Sequence, residues 1–87
     1  MESNKVNFEK WLGLIGMFPV ELPDGSNFAT TPDGDDTDIQ WNDKYVYGED
    51  YKYKYSEVEN ISKKLKKDLK GLPLNSKQTY KQYLNAE

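Results

Sequence analysis

The densest concentration of chemically active side chains is the run Asp33-Gly34-Asp35-Asp36-Thr37-Asp38, followed by Asp43 and Glu49-Asp50. Carboxylates at alternate positions can ligate calcium, but an EF-hand loop also needs glycine at its sixth position and a bidentate glutamate at its twelfth. Neither register of the run supplies both, so no metal is assigned. A carboxylate pair could instead serve as general acid and base. That role needs a pocket able to shift a pKa by about 2 to 5 units, which a chain of 87 residues rarely encloses.

The rest of the usual catalytic inventory is missing. The sequence has no cysteine, no histidine and no arginine, and all 12 of its positive charges are lysines. Disulfides, zinc ribbons, iron–sulfur clusters, thiol nucleophiles and imidazole bases are thereby excluded. The expectation is a non-catalytic binding protein, not an enzyme, with no cofactor.

Charge layout is then the main functional clue. Residues 1–17 balance two acids against two lysines, residues 18–50 hold nine acids and one lysine, and residues 51–87 hold four acids and nine lysines. An acidic middle is followed by a basic tail. Rigidly displayed carboxylates can occupy the basic groove of a nucleic-acid-binding protein, and long-range attraction speeds the encounter. The partner surface expected is Asp33, Asp35, Asp36, Asp38, Trp41, Asp43, Glu49 and Asp50, with Trp41 as an aromatic anchor among carboxylates. The partner is a basic protein, in the first place a nucleic-acid-acting host or defence enzyme that this chain inhibits as a DNA mimic. Small size and richness in Lys, Asn and Tyr fit a phage or mobile-element product.

A second pattern competes with the first. Tyr51-Lys52-Tyr53-Lys54-Tyr55 alternates rings and cations, and the helix after it carries Lys63, Lys64, Lys66, Lys67 and Lys70. Rings with lysines on a sheet bind single strands of nucleic acid. Strict alternation, however, sends these tyrosines and lysines to opposite faces, and arginine, the best phosphate and base reader, is absent. Nucleic-acid binding is therefore the runner-up. A structural or assembly subunit, with a homodimer among its forms, is third.

These residues need elements to hold them. Phe8, Trp11, Leu12 and Ile15 follow helical spacing within residues 5–16, with Asn4 as N-cap. Gly13 and Gly16 imply close packing or an early end. Pro23-Asp24-Gly25 and Pro32-Asp33-Gly34 each read as a hairpin turn with glycine at positive φ. They imply strands near Phe18 to Leu22, Asn27 to Thr31 and Asp38 to Trp41, with Phe18, Val20 and Leu22 on one face. Two more follow at Tyr45 to Tyr47 and Tyr51 to Tyr55.

Ser56 and Glu59 form a capping-box pair that opens a helix with the stripe Val58, Ile61, Leu65 and Leu69, closed by Gly71 and Pro73. A last helix runs from about Ser76 to Leu84, with Tyr80, Tyr83 and Leu84 inward. The fold class is α+β in a single domain spanning residues 1–87: an N-terminal helix, an antiparallel meander of four or five short strands, and two C-terminal helices on one sheet face. The longest apolar stretch, Trp11 to Val20, is broken by Gly13, Gly16 and Pro19, so neither a signal peptide nor a membrane span is expected. The location expected is cytoplasmic, in the host cell if the chain is phage-encoded.

Overall fold

Two turns of the same composition set the geometry of the sheet. The computed structural model describes residues 3–71 and 78–85. In chain order its elements are α1 (Asn4–Leu14), β1 (Phe18–Glu21), β2 (Asn27–Thr30), β3 (Asp36–Trp41), β4 (Tyr45–Tyr47), β5 (Lys52–Lys54), α2 (Val58–Asp68) and α3 (Tyr80–Asn85). At the first turn Gly25 sits at φ 90° and its N–H donates to the Leu22 carbonyl. At the second Gly34 sits at φ 91° and donates to Thr31 in the same way. Both are the glycine-terminated hairpins that Pro-Asp-Gly predicts. The five strands form one antiparallel sheet in the order β1-β2-β3-β4-β5.

Between Phe28 and Thr30 the register of β2 against β3 shifts. The Thr37 hydroxyl fills in there, donating to the Ala29 carbonyl at 2.6 Å and accepting the Ile39 N–H at 3.2 Å. At the irregularity the Thr37 side chain thus partners two backbone groups, the Ala29 carbonyl and the Ile39 N–H.

The core lies between the sheet and the three helices. Ala29, Ile39, Trp41 and Val46 from the strands meet Phe8, Trp11, Leu12, Ile15, Ile61, Leu65 and Tyr80. A chain poor in aliphatics builds this core from rings. Phe8 has its ring centroid 5.3 Å from Trp41, 5.3 Å from Tyr80 and 6.2 Å from Tyr55, all edge-on. Such contacts add about 0.5–1.5 kcal/mol each beyond burial. The polar edges are satisfied as well: the Trp11 indole donates to the Gln78 carbonyl and the Trp41 indole to Glu9, both at 2.9 Å.

Helix ends depart from the sequence reading. The N-cap of α1 is Ser3, not Asn4, because the Ser3 hydroxyl accepts the Val6 N–H at 3.1 Å. Gly13 has open space where a Cβ would stand, so close packing is not its reason; Gly16, at φ 101°, ends the helix. At α2 the Ser56–Glu59 box is not formed, and Glu57 is the capping position. The Glu57 carboxylate instead accepts the Lys54 N–H at 2.8 Å, fastening the end of β5 to the start of α2. Tyr55 is buried and donates its hydroxyl to the Asn42 carbonyl, which anchors the chain inward just before the helix.

The stripe Ile61, Leu65 and Leu69 is buried as predicted, and Gly71 follows at φ 87°. For α3, Thr79 and Gln82 form the reciprocal cap, with the Gln82 N–H donating to Thr79 Oγ1 at 3.2 Å and the Thr79 N–H to Gln82 Oε1 at 2.9 Å. Pro73 and Ser76 lie outside the described residues.

Candidate functional site

A meander puts alternate turns at opposite ends. The β2–β3 and β4–β5 connections therefore share one end of the sheet, and the β1–β2 and β3–β4 connections share the other. Asp33, Asp35, Asp36, Asp38, Glu49 and Asp50 all belong to the first end, and all are exposed. Asp38 joins its two loops: its Oδ2 accepts the Glu49 N–H at 2.9 Å. Gly48 makes that approach possible, since a Cβ there would lie 2.9 Å from the Asp38 carbonyl oxygen.

Two residues of α2 complete this end. Lys64 Nζ lies 3.6 Å from Asp50 Oδ1 and 3.7 Å from Asp68 Oδ1, and it stands 5.0 Å from the centroid of the Tyr51 ring. Asp35, Asp36, Asp38, Lys64 and Asp68 line an open depression of about 420 Å³, with Thr31, Thr37, Ile39 and Leu69 beneath. Beside it the Tyr51 hydroxyl is buried without a hydrogen-bond partner. Burial above all, then Asp68, Asp38 and Asp50, raise its pKa well above the usual phenol range, so the ring stays neutral. The acidic end thus offers several carboxylates with one lysine among them. Chemically it can accept hydrogen bonds and ion pairs from cationic side chains.

Asp43 is not part of this cluster. It sits at the opposite end, where it lines a second open depression of about 480 Å³ with Asp24, Lys44 and Tyr47. Asp24 there is committed to its own turn: its carboxylate accepts the Ser26 hydroxyl at 2.6 Å and the Ser26 N–H at 2.9 Å, which lowers its pKa. Trp41 is not an exposed anchor at all. It is 0% exposed, packed edge-on against Phe8, because β3 directs it to the helix-covered face.

Asp68 escaped the sequence reading, and Lys64 and Tyr51 entered it only as part of the nucleic-acid alternative, not of the acidic surface. Asp68 and Lys64 carry an i,i+4 signal on one helix, but nothing in the sequence says that this helix returns to the acidic loops. Among the described residues, no group of three or more carboxylates is arranged to hold a metal ion. No described helix is long and apolar enough to cross a membrane. Comparison with known proteins finds no match to any family model, curated protein or solved structure.

Proposed function

We propose that this chain is a non-catalytic binding protein that presents its acidic sheet end to the basic nucleic-acid groove of a partner enzyme and inhibits it by charge mimicry. The observation that carries this reading is the convergence of the β2–β3 and β4–β5 loops, and of Asp68 on α2, on one end of the sheet. Acids of two separate loops, at residues 33–38 and 49–50, come to one end of the sheet. Their setting also supports the reading. The strands hold the loops and Asp38 ties one loop to the other, which lowers the cost of ordering the loop backbone on binding.

Lys64 neutralises part of the array and leaves the outward Asp33, Asp35 and Asp36 loop on the other side of the depression. The partner surface supported here is Asp33, Asp35, Asp36, Asp38, Asp68, Glu49 and Asp50; Trp41 and Asp43 are dropped from it. A phage or mobile-element origin, anti-defence action and a cytoplasmic site of action belong to the same proposal.

Affinity capture from the native host, read by mass spectrometry, is the direct test, followed by the Asp35→Asn, Asp36→Asn, Asp38→Asn triple variant. The expected result is a basic, nucleic-acid-acting partner whose inhibition weakens with salt and falls at least about tenfold in the triple variant, since charge pairs at such interfaces couple by about 1.5 kcal/mol or more. Inhibition that is unchanged in the triple variant refutes charge mimicry.

A further inference from the structure

The face of the sheet turned away from the helices carries its own pattern. Cross-strand register aligns Val20, Phe28, Gln40, Tyr47 and Lys52 in one row, and pairs Tyr45 with Lys54 beside it. Tyr51 and Tyr53, the rings of the alternating Tyr-Lys segment, pack toward the core as alternation demands. Their exposed neighbours Lys52 and Lys54 do not stand alone, however. Antiparallel pairing places the β4 tyrosines on the lysines' own side of the sheet, and Lys52 Nζ lies 4.2 Å from the centroid of the Tyr45 ring. Tyr45 and Tyr47 are half-buried, with one strand period of about 7 Å between them.

We propose that this face, which none of the described helices covers, binds single-stranded nucleic acid, with Tyr45, Tyr47 and Phe28 as stacking surfaces and Lys52 and Lys54 as phosphate contacts. The lysines supply the charge opposite to a phosphate backbone, and the rings supply π-faces that accept any base. Asp36 and Asp38 stand on the same side of β3 toward the acidic end. They repel phosphate there and keep the strand away from the β2–β3 turn. The site shares none of these contact residues with the acidic end, so it stands or falls separately from the mimicry reading.

Fluorescence anisotropy of a short labelled oligothymidine at low salt tests it. Saturable binding is expected, with a log–log salt slope of about −1.4, the value for two phosphates at about −0.7 each. Lys52→Gln with Lys54→Gln brings that slope toward zero. Tyr47→Ala weakens binding by about fivefold or more, while Lys63→Gln with Lys67→Gln on the exposed side of α2 leaves it unchanged. Where the ring truncation unfolds the chain by circular dichroism, the exposed Lys52 and Lys54 pair carries the test. Absence of saturable binding, or equal loss in the Lys63 and Lys67 control, overturns the proposal. So does a result in which the Lys52 and Lys54 pair abolishes capture of a protein partner and leaves oligothymidine binding intact.

Discussion

The two faces of one sheet are built from alternate residues of the same five strands, yet they have opposite characters. Trp41, Val46 and Ala29 on the inner face are fully buried against the helices, whereas Phe18 and Val20 on the outer face are 58% and 36% exposed. Gln40 and Trp41 are chain neighbours with contrary fates. What separates them is the pleat, which turns successive side chains to opposite sides, and the described helices, which cover one side. The difference teaches where burial ends. Large apolar or aromatic type does not decide it, because Phe18 is as apolar as Phe8.

The largest effect that can break this contrast is a truncation on either face. Trp41→Ala removes a wholly enclosed indole and is expected to cost about 3–5 kcal/mol, measured by urea unfolding. Phe18→Ala is expected to cost under about 0.5 kcal/mol, as surface substitutions do. Comparable losses at the two positions would show that the outer face is covered in solution.

High pH sharpens the same contrast. Tyr80 has its pKa pushed up to about 12, first by burial and then by Tyr83, and burial raises Tyr51 and Tyr55 as well. A phenol whose folded pKa lies above its unfolded value of about 10 adds stability that is complete below that value. The contribution fades as pH rises through the folded pKa. Melting temperature is therefore expected to fall between pH ~10 and ~12, because the unfolded chain releases these protons first. A flat profile there would place these phenols in water.

Glycine substitutions give the smallest and most local effects. Gly34→Ala and Gly25→Ala force a side chain into positive φ and are each expected to destabilise by about 1 kcal/mol. Gly13→Ala, in a helix with open space at the Cβ position, is expected to stabilise by up to about 1 kcal/mol. Thermal melts that ranked the three alike would contradict the turn geometry.

Legibility in the sequence followed the range of the interactions. The two Pro-Asp-Gly turns were readable because proline, aspartate and glycine each satisfy a dihedral requirement within four residues. The Phe8, Trp11, Leu12, Ile15 stripe was readable because helical period alone sets it. Ser56–Glu59 misled because Glu57, three residues after Lys54, accepts the Lys54 N–H and takes the capping position, a local alternative that the capping-box pattern does not distinguish. The candidate site was readable in its loops and not in its helix. Asp33, Asp35, Asp36 and Asp38 lie on one loop and strand, but Asp68 and Lys64 reach them across the fold.

By itself, the sequence determined that the chain has only lysine and carboxylate charge, that its middle is acidic, and that two tight turns fold that middle into a meander. These follow from side-chain chemistry and short-range backbone sterics. Tertiary structure alone decided that Asp43 parts from the other acids, that Trp41 is core, that Lys64 answers Asp50 and Asp68, and that Tyr45 and Tyr47 share a face with Lys52 and Lys54. Each of those depends on which residues meet across strands or between sheet and helix. Register and packing settle that, and neither can be read from the spacing of residues along one element.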